Sequence, residues 1–201
     1  MEERLFEGFV LTGGRSSRMG RDKALLPVVG SANEGPAAGG WTAGGKTLVE
    51  QIAARVRAAA GSVTLIGSPE RYGNLGLPVA ADLIEDCGPI GGVYTALKIC
   101  SAPWNLIVAC DMPSVTAGFL RGLLEAARNA DAECVVPETA SGLHPLCAVY
   151  HRRALPALQY ALDHKFLKMH DLLKSLGAVA LPVSGAALLE NVNTPIEWSA
   201  R

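Results

Sequence analysis

Short apolar runs alternate along this chain with segments in which apolar residues recur every three or four positions. The apolar runs, which are typical of buried strands, cover residues 9–11, 62–66, 77–80, 105–109, 134–137, 145–150 and 178–183. The periodic segments, which are typical of helices with one buried face, cover residues 48–60, 91–100, 118–130, 152–163 and 171–176. This alternation predicts an α/β fold: a single three-layer α/β/α Rossmann-like domain over residues 1–201 with a mainly parallel sheet.

One segment interrupts the alternation. Residues 30–45 read GSANEGPAAGGWTAGG, which is rich in Gly and Ala and has no periodicity. Such a composition buries too little apolar surface to offset the entropy of ordering it, so we predict a flexible surface loop with Trp41 as an anchor. An insertion without function and a lid over an active site both fit this pattern. Shortening the loop should leave thermal stability nearly unchanged, and the activity of the shortened variant would distinguish the two.

Composition narrows the choice of function. The net charge of the 201 residues is −1 and only 18% of them are charged, which argues against binding nucleic acid or an anionic membrane through bulk charge. No apolar run approaches the roughly 20 residues that span a bilayer, and the start MEERLFEG is acidic, so we expect a cytoplasmic protein. The five cysteines have no C-x-x-C spacing and are expected to be reduced thiols.

Basic residues are concentrated in one loop. The stretch GFVLTGGRSSRMGRDKALLP, residues 8–27, follows the first predicted strand and combines glycines with Arg15, Arg18, Arg21 and Lys23. Paired glycines let backbone N–H groups approach an anion, and arginine and lysine side chains donate charge-assisted hydrogen bonds to phosphate. The stretch matches neither G-x-G-x-x-G nor G-x-x-x-x-G-K-[ST], so it predicts a phosphate-binding loop of another class.

A carboxylate follows another predicted strand. The run NLIVACDMP, residues 105–113, brings Asp111 to the carboxyl end of its strand, where ligands bind in open α/β sheets. An oxygen ligand at this place suits Mg²⁺, which prefers carboxylates together with phosphate oxygens. Capping of the following turn is the alternative role for this residue.

The loop and four later blocks resemble one family. VLTGGRSSRMGRDKALLP is similar to the signature L-x-G-G-x-S-x-R-M-G-x-D-K of the molybdenum cofactor guanylyltransferases, which are nucleotidyltransferases. The blocks ADLIEDCGPIGGVYTAL, ACDMPSV, HPLCAVY and NVNTPIEW resemble the family in the same order and extend the likeness over nearly the whole chain.

The resemblance implies a set of site residues. It implies that the loop backbone and Lys23 contact the nucleotide and its phosphates, that Asp111 binds Mg²⁺, and that Lys23, Arg18 and Asp111 are catalytic. The nucleotide-binding residues that it implies are Leu11, Thr12, Gly13, Gly14, Lys23, Asp82, Gly88, Asp111, Asn191 and Asn193. His144 is expected to be a hydrogen-bonded strand-end residue rather than a catalytic base.

The activity implied is transfer of GMP from GTP to the terminal phosphate of molybdenum-bound molybdopterin, with release of pyrophosphate and with Mg²⁺ as cofactor. Transient contact with cofactor-insertion proteins is a further expectation. The sequence departs from the family pattern at two places. Thr12 replaces the usual alanine. Ile66, Gly67 and Ser68 stand where an asparagine that reads the base is common, so the base specificity is less well defined. A cytidylyltransferase, another nucleotidyltransferase with a related phosphorylated acceptor, and a nucleotide-binding regulator without turnover remain the alternatives.

Overall fold

A computed structural model of the chain describes residues 4–12, 22–26 and 46–191. The loop residues 13–21, the Gly/Ala-rich segment 30–45 and Asn193 lie outside the described residues. The strands are β1 (Phe6–Leu11), β2 (Thr64–Ile66), β3 (Val79–Ala80), β4 (Trp104–Ala109), β5 (Cys134–Thr139), β6 (Gly142–Leu143), β7 (Cys147–His151) and β8 (Val179–Pro182). The helices are α1 (Leu48–Ala60), α2 (Pro69–Tyr72), α3 (Gly88–Ile99), α4 (Ala117–Arg128), α5 (Leu155–Asp163) and α6 (Met169–Ser175).

The strands form one sheet in the order β3-β2-β1-β4-β7-β5-β6, and β8 pairs with β5. β1 pairs in parallel with β2 and β4, and β2 pairs in parallel with β3. β7 lies antiparallel between β4 and β5. The predicted mainly parallel α/β fold is therefore confirmed.

The residues of β1 and β4 alternate between two hydrophobic clusters, one on each face of the sheet. Val10 and Val108 belong to the cluster that contains the buried residues of α1 and α4. Phe9 and Ile107 belong to the cluster that contains those of α3, α5 and α6. Because both faces of the sheet are covered, its central strands are buried apolar runs, as expected for a parallel sheet. This arrangement is the three-layer α/β/α architecture predicted from the sequence.

Helix ends follow local sequence signals. α1 begins at a capping box, in which the Glu50 N–H donates to Thr47 Oγ1 and the Thr47 N–H donates to Glu50 Oε2 at 2.7 Å. It ends at Gly61, whose φ of 79° is the left-handed conformation that glycine adopts without strain. None of the helices in the described ranges is long and apolar enough to cross a membrane.

Two helix starts differ most from the prediction, and two short elements were not predicted. α3 begins at Gly88 rather than at residue 91, because Pro89 is favourable in the first turn of a helix. The segment predicted as a helix from residue 152 begins with a 3₁₀ turn, Arg152–Ala154, and α5 starts at Leu155. The short elements α2 and β6 were not predicted, since four and two residues carry no readable periodicity.

Candidate active site

Four parallel strands end at one edge of the sheet, and a predicted or newly found site residue follows each of them. Thr12 follows β1, Gly67 follows β2, Asp82 lies two residues after β3 and Asp111 lies two residues after β4. The parallel registers bring these ends together. The structure therefore brings Leu11, Thr12, Asp82 and Asp111 to the carboxyl edge, where ligands bind in open α/β sheets.

The start of the predicted phosphate-binding loop is fixed by contacts within the protein. The N–H and the hydroxyl of Thr12 both donate to the Ile66 carbonyl, at 3.0 and 2.8 Å. The Leu11 carbonyl accepts from the Cys110 N–H at 3.1 Å. The hydroxyl that distinguishes Thr12 from the family's usual alanine is thus used to join β1 to β2.

Gly67 leaves room for this hydroxyl. A Cβ atom at position 67 would lie 2.0 Å from Thr12 Oγ1 and 3.1 Å from Tyr72 Cε2. Real Cβ atoms do not approach so closely, so either the backbone or both neighbours would have to move. The pair of Thr12 and Gly67 is therefore matched in size.

We expect Gly67→Ala to lower the free energy of unfolding by about 1–3 kcal/mol because of this overlap. Thr12→Ala removes the closest atom, so the double variant Gly67→Ala/Thr12→Ala should unfold at a higher temperature than Gly67→Ala alone. Thermal denaturation of the three variants measures both effects. Gly73→Ala is the control, since a Cβ there meets nothing within 4 Å. A double variant no more stable than Gly67→Ala would contradict this explanation.

Lys23 is presented by a short turn that Asp22 caps. Asp22 Oδ1 accepts from the Ala24 N–H at 3.1 Å at the start of the 3₁₀ turn Lys23–Leu25. Asp22 Oδ2 lies 2.7 Å from the Tyr72 hydroxyl and 3.8 Å from the Arg71 guanidinium. Sequence reasoning assigned no role to Asp22 or Tyr72. Asp22 could have been found from its place next to Lys23, whereas no local signal marks Tyr72.

Asp111 is a mostly buried carboxylate on which burial and a nearby positive charge have opposite effects. Burial raises the pKa of its carboxyl, and the positive charge of Lys23 offsets part of that shift. Burial, together with the charges of Asp111 and Asp22, raises the pKa of the neighbouring Cys110 thiol to about 12. The charge of Lys23 therefore reaches Asp111, and the charges of Lys23, Asp22 and Asp111 all act on the Cys110 thiol at the end of β4.

The turn after Asp111 is held by α1. The Arg55 guanidinium donates to the Pro113 carbonyl at 2.5 Å, and burial lowers the pKa of this arginine. Among the residues that the structure describes, Asp111 Oδ1 is buried without a hydrogen-bond partner. A buried carboxylate oxygen of this kind costs free energy unless a cation or donor meets it.

The segment after β3 is fastened to α3. The buried Thr95 hydroxyl donates to the Gly91 carbonyl at 2.9 Å and accepts from the Leu83 N–H at 3.0 Å. Burial and the charge of Glu85 raise the pKa of Asp82. A Cβ at Gly92 would lie 3.1 Å from Leu11 Cδ2, so this glycine lets α3 approach the end of β1.

Of the other predicted site residues, the structure describes only Gly88 and Asn191. Gly88 is the first residue of α3 and has a φ of 59°, which favours glycine. Asn191 is exposed, two residues after Leu189, which is buried in the cluster with α1 and α4. Gly13, Gly14, Arg18 and Asn193 lie outside the described residues. His144 has a partner at 2.8 Å in the Thr139 hydroxyl.

The donor set at this edge fits a hard cation with bound phosphates. Within residues 4–12, 22–26 and 46–191, no group of three His, Cys, Asp or Glu side chains could hold a metal ion. Mg²⁺ is commonly held by one or two carboxylates together with substrate phosphates, so such a group is not needed. The buried Asp111 Oδ1 is an oxygen ligand of the required type.

The chain is similar to known proteins over most of its length. The model of the MobA-like NTP transferase domain matches residues 8–179. The molybdenum cofactor guanylyltransferase of Xanthomonas euvesicatoria is 32% identical over 203 residues, which cover 98% of this chain and 94% of that protein.

Two solved structures share the fold. Molybdopterin-guanine dinucleotide biosynthesis protein A from Archaeoglobus fulgidus superposes with a TM-score of 0.77 at 22% identity, covering 96% of this chain and 95% of that one. A protein of Mycobacterium tuberculosis solved in complex with manganese superposes with a TM-score of 0.65 at 18% identity, covering 97% and 96%. Since the family model spans most of the chain and includes the strands that carry Thr12, Asp82 and Asp111, the chain belongs to the MobA-like NTP transferase family.

Proposed function

We propose that this chain transfers GMP from GTP to the terminal phosphate of molybdenum-bound molybdopterin and releases pyrophosphate, with Mg²⁺ as cofactor. Membership of the family and the name of the Xanthomonas relative support the reaction class. The observation that carries the proposal is the buried, unpartnered Asp111 Oδ1 at the sheet edge, next to the charge of Lys23. The manganese complex of the mycobacterial neighbour supports the use of a divalent ion.

The mechanism needs positioning and charge stabilisation more than proton transfer. The acceptor phosphate is already an anionic nucleophile, so no strong base has to generate it. Bound Mg²⁺ would supply positive charge to the phosphate oxygens, and Asp111 would hold it at the end of β4. Lys23 and Arg18, with the backbone of Gly13 and Gly14, would stabilise negative charge that develops on the α-phosphate and the departing pyrophosphate.

The nucleoside would lie between the ends of β1 to β3 and α3. Leu11, Thr12, Asp82 and Gly88 belong to this part of the edge, and Asn191 and Asn193 would complete the site near the reacting phosphates. Leu11 and Thr12 contribute mainly a fixed backbone, because the Thr12 N–H and the Leu11 carbonyl are bonded within the protein. The cytoplasmic location expected from the sequence is part of the same proposal.

Pyrophosphate release in the presence of GTP, Mg²⁺ and molybdenum-bound molybdopterin tests the reaction. We expect release that depends on all three components and a product in which GMP is joined to the pterin. No release with any acceptor-loaded preparation would contradict the proposal. Binding of GTP without pyrophosphate in a single turnover would instead identify a nucleotide-binding regulator.

Base specificity has its own test, because Gly67 and Ser68, and no asparagine, directly follow β2. Gly67 carries no side chain, and the Ser68 hydroxyl donates to Glu70 Oε2 at 2.6 Å, so the Ser68 side chain is bonded to the first turn of α2. We expect GTP with Mg²⁺ to raise the unfolding temperature more than CTP, ATP or UTP at equal concentration. A larger shift with CTP would favour the cytidylyltransferase alternative.

A further inference from the structure

One buried hydroxyl touches both flanks of the phosphate loop. Tyr72 is the last residue of α2 and is 2% exposed. Its hydroxyl oxygen lies 2.7 Å from Asp22 Oδ2 and 3.2 Å from the Thr12 carbonyl oxygen. Thr12 and Asp22 are the residues on either side of the nine loop residues 13–21. A residue far from the loop signature thus contacts the loop at its beginning and at its end.

The Tyr72 hydroxyl can donate only one hydrogen bond, and the Asp22 carboxylate accepts it. The contact with Asp22 is the shorter one and is charge-assisted, which makes it the stronger hydrogen bond. Burial and the neighbouring Asp22 raise the pKa of the Tyr72 phenol, so the group stays protonated and remains a donor. The phenol therefore remains a hydrogen-bond donor at neutral pH.

Asp22 connects Tyr72 to the turn that begins at Lys23. With Oδ2 held by Tyr72, the Asp22 carboxylate keeps Oδ1 directed at the Ala24 N–H, which caps the turn that begins at Lys23. Tyr72 itself is anchored in the core cluster that contains α1 and α4. Arg71 also approaches Asp22, but it is two-thirds exposed and 3.8 Å away, so it contributes little.

We propose that Tyr72 is a positioning residue for the transfer reaction: its hydroxyl orients Asp22 and thereby fixes the turn that presents Lys23 beside Asp111. This inference rests on the proposed function of Lys23 at the developing phosphate charge. The role assigned to Tyr72 requires no contact with substrate or metal. Its effect on turnover is produced through Asp22 and the Lys23 turn, because small displacements of a catalytic group cost rate.

Tyr72→Phe tests the role with little change in packing, because only the hydroxyl is removed. We expect kcat for pyrophosphate release to fall by about tenfold or more, while KM for GTP changes by less than about threefold. Tyr94→Phe is the matched control: its hydroxyl also donates one 2.7 Å bond, to Gln159 Oε1, and it is 7% exposed. The control should keep kcat within about twofold of the parent protein. An unchanged kcat in Tyr72→Phe would overturn the proposal.

A double-mutant cycle separates positioning from a general structural effect. If Tyr72 acts through Lys23, Tyr72→Phe should produce no further loss of kcat in a Lys23→Ala background. The same loss in both backgrounds would show that Tyr72 acts independently of Lys23 and would overturn the assignment.

A measurement without substrate separates this inference from the proposed function. Hydrogen exchange at the Ala24 amide should become faster in Tyr72→Phe and stay unchanged in Tyr94→Phe, because the Asp22 cap is released only in the first variant. A parent protein without GTP turnover would contradict the proposed function alone, and the exchange data would still decide whether Tyr72 fixes the turn. Unchanged exchange at Ala24 in Tyr72→Phe would overturn the inference.

Discussion

Asp111→Asn should lower kcat by about a thousandfold, since metal-ion stabilisation of transition-state charge is worth several kcal/mol. Asparagine keeps the shape of the side chain but removes the charge that would bind Mg²⁺. The fold should be preserved, because Asp111 follows β4 at the sheet edge and the substitution does not change the size of the side chain. Steady-state pyrophosphate release at saturating GTP and varied Mg²⁺ measures the effect.

The same variant should be more stable than the parent protein when no metal is present. Burial raises the folded-state pKa of Asp111, so the stability associated with its protonated form is present at low pH and is lost as the pH rises through that pKa. At neutral pH the parent protein is destabilised by the buried negative charge of Asp111, and the uncharged asparagine of the variant has no such charge. We expect a higher unfolding temperature for Asp111→Asn at neutral pH, and a difference that shrinks as the solution is acidified.

Mg²⁺ with GTP should then stabilise the parent and leave Asp111→Asn nearly unaffected. Asp131→Asn is the control, because Asp131 is a fully exposed carboxylate whose ion-pair partner is Arg153, away from the carboxyl edge. Parent-like turnover of Asp111→Asn at limiting Mg²⁺ would contradict the metal role.

Lys23→Ala should lower kcat by about a hundredfold to a thousandfold, comparable with the removal of one group that stabilises a developing anion. The loss of GTP affinity should be smaller, because the ammonium matters most where charge increases during the reaction. Kinetics combined with direct measurement of GTP binding separates the two effects.

Lys98→Ala is the matched control for Lys23→Ala. Lys98 is exposed in the last turn of α3, at the opposite end of that helix from Gly88. It should leave kcat and GTP affinity unchanged. If Lys23→Ala weakens GTP binding while kcat is retained, Lys23 contacts only the ground state and the proposed role is wrong.

Local sequence determined the layers and predicted the location of the proposed site. The apolar runs and helical periods are direct consequences of which faces must be buried, so the α/β/α fold and its mainly parallel sheet could be predicted from them. The signature around Lys23 and the strand that ends before Asp111 identified the family, because phosphate binding demands glycines and cations close together in the chain. Parallel strands then bring those separate segments to one edge.

Tertiary structure decided how the site is held in shape. The bond between Tyr72 and Asp22 joins residues 50 positions apart, and the contact between Thr12 and Ile66 spans 54 positions. The antiparallel pairing of β7 with β4 likewise joins residues far apart in the sequence, such as Val108 and Cys147. No period or spacing along the chain encodes such contacts, because they depend on which side chains meet once the sheet has formed. For the same reason the unpartnered oxygen of Asp111 and the matched pair of Thr12 and Gly67 emerge only from the folded chain.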